Sequence, residues 1–245
     1  MTPKVLVVPV AYNEKIKLGN VIERFLKSQM PAQADYLIVD DGSDDGTTEM
    51  IASFKDKGVM SVKHHHRRGV GAAIRTGIEY ALDKGYEIIV IMAGNDKDNP
   101  VEIPQLLEPI LRENYDLVQG SRYLGKVGSG GQMPFYRKIA TRLHPFVFTL
   151  FTGRRVTDTT NGFRAIRLSI FSDERFDLKQ PWLDTYELEP YILWKVITLG
   201  YKFKEVFVTK IYPPKALGGY TKMIPFVSWW SILKPLFYLR LGIKK

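Results

Sequence analysis

Residues 36–47 read Tyr-Leu-Ile-Val-Asp-Asp-Gly-Ser-Asp-Asp-Gly-Thr. Tyr36 to Val39 has the composition of a buried strand, and two carboxylates, a glycine and several turn formers end it abruptly. In an open parallel sheet, ligands are received in the crevice beyond the carboxyl ends of the strands, so Asp40 and Asp41 stand where a polar ligand would be read. The competing reading is local: an Asp-Gly turn followed by a helix N-cap at Ser43 or Asp44. One unit earlier the arrangement repeats. Lys4 to Val10 is a β-branched run ending in Ala11-Tyr12-Asn13-Glu14, and Leu18, Val21, Ile22, Phe25 and Leu26 then recur at helical spacing. Strand, polar turn, helix, strand, polar turn is the start of a doubly wound sheet.

Pro-Val-Ala-Tyr-Asn-Glu at 9–14 and Val-Asp-Asp-Gly-Ser at 39–43 together resemble the nucleotide-binding half of the inverting family 2 glycosyltransferases. Within them the chain is most similar to the polyprenyl-phosphate sugar transferases of the dolichyl-phosphate mannose synthase type. The resemblance spans residues 4–222 and implies a GT-A fold: α/β, with a doubly wound, mostly parallel central sheet flanked by helices. It implies that Pro9, Tyr12, Glu14 and one of Asp40 and Asp41 hold the base and ribose of a nucleotide sugar, UDP- or GDP-linked.

Further along, Thr47 to Phe54 reads as a short helix and Val59 to Val62 as a strand. His64-His65-His66 is no metal site, since three adjacent side chains cannot face one ion from a strand or helix. Next, Arg68-Gly69-Val70-Gly71-Ala72-Ala73 leads into a helix through Ile74, Ile78 and Leu82. Glycines at a helix start let backbone N–H groups approach an anion, and Arg67 or Arg68 adds charge for a diphosphate. In the family this matches the segment lining the nucleotide pocket, with Gly69 and Gly71 as its glycines.

The aliphatic strand Glu87 to Met92 runs into Ala93-Gly94-Asn95-Asp96-Lys97-Asp98-Asn99-Pro100. Here the family places an Asp-x-Asp pair that holds Mg²⁺ or Mn²⁺ against the diphosphate. Aligned on Pro100, those positions are Ala93 and Asn95, and an Asp-x-Asp appears three residues later as Asp96 and Asp98. Either the loop curls so that Asp96 or Asp98, with Asn95, reaches the metal, or the chain uses the metal weakly or not at all. A turn capping a helix that begins near Glu102 explains the same residues without any ion.

Leu106 to Leu111 continues that helix, and the strand Leu117 to Gly120 ends in Ser121-Arg122-Tyr123, which resembles the family's acceptor-side motif. An arginine at a strand end can grip a phosphate with two donors at once. The basic, glycine-rich stretch from Gly125 to Gly131 reads as a flexible lid. From Arg137 to Phe151 apolar residues fall at helical intervals among basic ones, with Pro145 arguing for a break or kink. Asp158-Thr159-Thr160-Asn161-Gly162-Phe163-Arg164 is the second close match, placing Asp158, Arg122 and Arg164 at the acceptor site. With a hydroxyl acceptor, Asp158 would serve as general base; a lipid phosphate needs none, because its second pKa of about 6 leaves it largely ionised at neutral pH. After an apolar helix, Tyr191 to Leu199, and a strand, Phe203 to Ile211, Lys215 to Lys222 approximates the family's last motif, with Lys222 on the diphosphate.

Bulk composition narrows the partners. The 245-residue chain carries a net charge of +9 and no cysteine, so disulfides, thiolate metal sites and cysteine nucleophiles are excluded, which fits a reducing compartment. No charged-then-apolar leader precedes the first strand, so export is not expected. Residues 120–157 hold seven Lys/Arg and no acid, and residues 200–245 hold nine with one Glu. Both stretches are dense in Phe, Trp and aliphatic side chains, which suits the headgroup level of an anionic membrane and not a phosphate-tracking nucleic-acid groove. A spanning helix needs about 20 mostly apolar residues; the C-terminal run is interrupted by Pro225, Lys234 and Pro235 and reads as an in-plane anchor.

These readings predict a GT-A domain over 1–222, with a nucleotide-binding half at 1–119 and an acceptor half at 120–222, and a membrane-associating segment at 223–245. The predicted activity is inverting transfer of a sugar from a nucleotide donor to a polyprenyl phosphate, by a peripheral protein at the cytoplasmic face of a membrane with basic amphipathic helices on its surface. The alternatives are a soluble saccharide acceptor and a degenerate, non-catalytic nucleotide-binding module.

Overall fold

The computed structural model describes residues 3–30, 33–125, 135–211 and 227–245. Strands β1 (Val5–Ala11), β2 (Ala34–Asp40), β3 (Val59–Lys63) and β4 (Ile88–Ala93) alternate with helices α1 (Lys15–Lys27), α2 (Thr47–Ala52) and α3 (Val70–Asp83). Then come α4 (Ile103–Glu113), β5 (Leu117–Ser121), α5 (Phe135–Thr152), β6 (Arg164–Arg167), α6 (Leu188–Thr198), β7 (Phe203–Phe207) and α7 (Val227–Arg240). The seven strands form one sheet in the order β3-β2-β1-β4-β6-β5-β7. The β3-β2-β1-β4 pairs and the β5-β7 pair are parallel, while β6 runs antiparallel to both β4 and β5.

Strands β1, β2, β4 and β5 are largely buried on both faces because helices cover both, while the edge strands β3 and β7 are partly exposed. Leu6 and Val8 of β1, Leu37 and Val39 of β2, and Ile89 and Ile91 of β4 pack with Ile74 and Ile78 of α3 and with α6. Their neighbours Val5, Val7, Tyr36, Ile38, Ile88 and Val90 pack with Leu18 and Ile22 of α1 and Leu106 and Ile110 of α4. This alternation across continuous aliphatic runs is what a parallel sheet between two helical layers requires; each such side chain contributes roughly 1.5–3 kcal/mol when fully buried.

Proline is tolerated where the sequence argues against it. Pro9 lies inside the central strand β1, and the β1–β2 register passes from Val7↔Tyr36 to Val10↔Val39 around it, as expected for a residue with no N–H to give. Pro145 does not end α5, which continues to Thr152. The four-residue β6 was not anticipated, and the expected strand to Ile211 stops at Phe207.

The C-terminal helix is in part docked on the body. Leu236 is fully buried, Phe237 meets Phe151 of α5 edge-on at 5.3 Å between ring centroids, and Lys234 Nζ lies 2.6 Å from Glu187. On α5, Ile139, Leu143, Phe146 and Leu150 are each more than half exposed and, at spacings of four and three, share one face. Trp230, Leu241 and Ile243 are also more than half exposed. No described helix is long and apolar enough to cross a membrane.

Candidate active site

Because β1, β2, β3, β4, β5 and β7 run one way and β6 the other, the C-terminal ends of six strands and the entry to β6 share one edge. The segments 11–14, 40–47, 64–69, 93–100, 121–125, 158–163 and 208–211 therefore line that edge, where ligands of open α/β sheets bind.

At its first end, two loops are laced together. Asn13, held left-handed at φ 52°, donates from its amide to Asp44 at 2.7 Å and accepts from the Asp44 N–H at 3.0 Å. The backbone N–H groups of Asn13 and Glu14 donate to the hydroxyls of Ser43 and Thr47, at 2.9 and 3.0 Å. Glu14 is buried with Lys17 at 2.8 Å, and the Tyr12 ring lies under the Arg67 guanidinium at 4.5 Å. Asp40 accepts from the Ser43 N–H at 2.9 Å and the Thr48 hydroxyl at 2.6 Å. Asp41 accepts from the N–H groups of Arg68 and Gly69, both at 2.8 Å, and sits 2.8 Å from His64 Nδ1. Both aspartates stand at the strand end as expected, yet they are buried and engaged by the chain's own donors. In this arrangement they hold the 43–48 turn and the 64–69 segment in place.

The Gly69-x-Gly71 segment also departs from expectation. The Ala72 N–H at the start of α3 donates to the carbonyl of Asp184 at 2.9 Å. A Cβ on Gly71 would stand 2.0 Å from the Leu183 carbonyl oxygen, and one on Gly69 2.4 Å from that of Asp184. The glycines admit the backbone of residues 183–185, which Arg75 clamps by pairing with Asp184 and donating to the Leu178 carbonyl at 2.9 Å. At Gly69, Gly71 and Ala72 the helix start is packed against this protein segment. Arg68 keeps an exposed side chain at this edge.

In the loop after β4 the candidate metal ligands diverge. Asp96, at φ 62°, accepts from Asn20 at 3.2 Å and is paired with Arg24, both on α1. Asp98 is completely buried; it accepts from the Ala93 N–H at 2.9 Å and is paired with Lys210, whose ammonium also donates to Asn161 Oδ1 at 2.8 Å. Asn95 Oδ1 is buried without a hydrogen-bond partner, a single neutral oxygen. Among the described residues no three His, Asp or Glu side chains gather as a ligand set. Divalent magnesium or manganese needs several oxygens converging on one point, so the described residues of this loop and its surroundings do not fit such an ion.

The acceptor-side loop is built around a buried ion pair. Arg122 holds Asp158 through Nε at 2.6 Å, Nη2 at 2.7 Å and its backbone N–H at 3.1 Å, and Nη2 also donates to the Thr160 hydroxyl at 2.6 Å. The Thr160 N–H and hydroxyl reach Asp158 at 3.3 Å each. From below, Glu205 of β7 accepts from the N–H groups of Thr157 and Asp158, at 2.8 and 2.9 Å. Arg164, expected on the acceptor phosphate, is instead buried: it donates to the carbonyls of Glu189 and Asn161 at 2.9 and 3.0 Å, and burial lowers its pKa. Arg122 remains at the rim of a cleft of about 640 Å³, but with its guanidinium committed to Asp158. The same cleft is lined by Arg142, Arg155, Pro145 and Phe146. Both arginines are exposed, and Phe146 belongs to the apolar stripe of α5.

His144 joins three elements here. Its Nε2 lies 3.0 Å from the Ile232 carbonyl of α7, which can only accept, and its Nδ1 lies 2.6 Å from the Thr159 hydroxyl. A neutral ring with the proton on Nε2 satisfies both, and burial pushes the pKa down to about 4 from an ordinary 6.5. Between those values the unfolded chain binds the extra proton, so stability is complete above pH 6.5 and is lost as pH falls towards 4. The expected loss from this group is about 3 kcal/mol, read as the difference in urea midpoint between the native chain and a His144→Gln variant across that range.

The expected Lys222, the motif from Lys215 to Lys222 and the lid beyond Gly125 lie outside the described residues. Sequence reasoning missed Lys210, Arg24, Glu205, His144, Arg142 and Arg155. Most of these act through partners far along the chain, 112 residues for Lys210 and Asp98, and no local pattern announces such a pair.

An α/β sheet with one loop-lined edge, laced polar loops at one end and a buried Arg–Asp loop at the other, defines a ligand-binding α/β protein with its site at that edge. The chain belongs to glycosyl transferase family 2, whose sequence pattern matches residues 6–175. It is 29% identical to the polyprenol monophosphomannose synthase of Mycolicibacterium smegmatis, over 85% of this chain and 77% of that one. It is also 29% identical to the UDP-N-acetylglucosamine–dolichyl-phosphate N-acetylglucosaminyltransferase of Methanococcus voltae, over 93% and 94%. The fold matches glucosyl-3-phosphoglycerate synthase of Mycobacterium tuberculosis, solved with Mn²⁺, UDP and phosphoglyceric acid, with a TM-score of 0.69 at 18% identity over 99% of this chain and 80% of that one. The expected family and GT-A fold are thereby met.

Proposed function

We propose that this glycosyltransferase moves one sugar from a UDP- or GDP-linked donor to a polyprenyl phosphate, working as a peripheral protein at the cytoplasmic face of a membrane. The observation that carries the acceptor assignment is the state of Asp158. Its carboxylate is fully buried and receives Arg122 on both oxygens and Thr160 on Oδ1, so it is poorly placed to take a proton from a hydroxyl. A phosphate acceptor arrives already ionised and makes no such demand. An acceptor phosphate oxygen forms a bond to the anomeric carbon as the bond from that carbon to the diphosphate oxygen breaks. The electron pair leaves with the nucleoside diphosphate, the configuration inverts, and no proton moves.

The cleft beside Asp158 suits such an acceptor. Arg142 and Arg155 offer charge, while Pro145 and Phe146 lead out to Leu143, Leu150 and Ile139 along α5. A phosphate headgroup on a long apolar chain has the matching order of charge and hydrocarbon. The two named relatives support this reading, since each is named for transfer involving a polyprenol or dolichyl phosphate.

Purified protein with vesicles containing polyprenyl phosphate and a panel of UDP- and GDP-sugars is expected to give a labelled, butanol-soluble product. Product confined to the aqueous phase, or none from any donor, would sink the assignment. Removing one charge-assisted contact costs about 1.5–3 kcal/mol, so Arg142→Ala and Arg155→Ala are each expected to raise the KM for lipid acceptor roughly ten- to a hundred-fold. Nucleotide affinity should be unchanged in both.

A further inference from the structure

Resting on the nucleotide-sugar reading of this edge, we propose that the donor diphosphate is received without a divalent cation. The carboxylates of the 93–100 loop are already committed to cations of the chain itself, Arg24 and Lys210.

Three observations converge on this. The strand end supplies no anionic ligand, because Ala93 and Asn95 stand at its positions and Asn95 offers one neutral, unpartnered oxygen. Asp96 is turned onto α1, where Asn20 and Arg24 receive it. Asp98, with no exposed surface, is held by the Ala93 N–H on one oxygen and by Lys210 on the other.

Lys210 is not free to withdraw. The Thr209 N–H and hydroxyl both donate to Glu102, at 2.9 and 2.8 Å, and the Ile211 N–H donates to the Lys97 carbonyl at 3.0 Å. The residues on either side of Lys210 are thus stitched to the donor loop, while its ammonium reaches across to Asn161 of the acceptor loop at 2.8 Å. A metal ion approaching Asp98 would have to displace a buried ammonium and leave it unpaired, which the low-dielectric interior strongly disfavours. The pair is electrically neutral, as a divalent ion between two aspartates is, and it bridges donor and acceptor loops from a fixed place. Further positive charge at this edge comes from the exposed Arg68.

The test has two arms on the purified full chain. In calorimetric titrations with UDP and with GDP, saturating Mn²⁺ is expected to change the Kd by less than about two-fold relative to EDTA. An Ala93→Asp, Asn95→Asp double variant is expected to gain roughly ten-fold or more from Mn²⁺. Equilibrium dialysis against Mn²⁺ alone is expected to leave none on the native chain. A ten-fold gain from Mn²⁺ in the native chain, or one equivalent retained after dialysis, would overturn the inference. If neither nucleotide binds with or without Mn²⁺, the nucleotide-sugar reading fails, and dialysis still decides the metal question by the same criterion.

Discussion

An Asp158→Ala chain is expected to lose about 3–5 kcal/mol of stability, because the Arg122 guanidinium would be left buried and uncompensated. Both groups are all but inaccessible, 0% exposed for the aspartate side chain and 4% for the arginine. The aspartate also anchors Thr160, so the turn carrying Asn161, the acceptor of Lys210, would loosen with it. Transfer to polyprenyl phosphate is expected to fall to background. A lower urea midpoint alone would not separate a role in holding the fold from one in holding the site. An Arg122→Met, Asp158→Leu pair does separate them, since a buried ion pair replaced by apolar groups of similar volume is often neutral in stability or better. That double variant is expected to recover most of the lost midpoint and none of the activity. Recovery of both would show that the pair is dispensable for transfer.

Gly71→Ala is expected to be comparably severe for a steric reason. The added methyl would lie 2.0 Å from the Leu183 oxygen and 2.5 Å from the Thr185 oxygen, both backbone atoms. Such a contact cannot be relieved by a rotamer change; either α3 or the 183–185 segment must move. Moving that segment strains the Ala72 to Asp184 hydrogen bond and the Arg75–Asp184 pair. The expected result is a loss of about 3 kcal/mol or more in urea unfolding, at the upper end of over-packing costs. Gly58→Ala serves as a control, since that glycine has open space around its Cβ position and only its left-handed φ of 82° to lose, at a cost of about 1 kcal/mol. Equal midpoints for Gly71→Ala and the native chain would refute the packing role assigned to this glycine.

How much of this was readable beforehand follows from how far each signal reaches along the chain. Strands β1, β2 and β4 were legible because each is an unbroken aliphatic run ended by polar turn formers, and burial on both faces demands such runs. The loops carrying Glu14, Asp40 and Asp41 were placed at one sheet edge by the same logic, whereas the Asp158 loop was located only through the family resemblance. Strand β6 escaped because Arg-Ala-Ile-Arg is four residues long and carries an arginine at each end, with no periodicity to detect. Gly69 and Gly71 were seen as special, but a glycine that admits an anion and one that admits a neighbouring backbone look alike in sequence. Arginines 122 and 164 were matched to an acceptor phosphate, whereas the structure engages them with Asp158 and with the carbonyls of Glu189 and Asn161; a guanidinium that grips a buried aspartate or a carbonyl carries the same motif as one that waits for a phosphate.

The reversed strand has one more implication. With only four residues between Asn161–Phe163 and the turn at Leu168, β6 works as a ruler for the acceptor loop: Arg164 opposes Ile91 and Gln119, and Ile166 opposes Ile89 and Leu117. Because side chains alternate sides at every step, lengthening this segment by one residue would exchange Arg164 and Ile166 with Ala165 and Arg167 and drive charge into the opposite layer. The spacing from Asp158 to Leu168 is therefore set by the sheet itself.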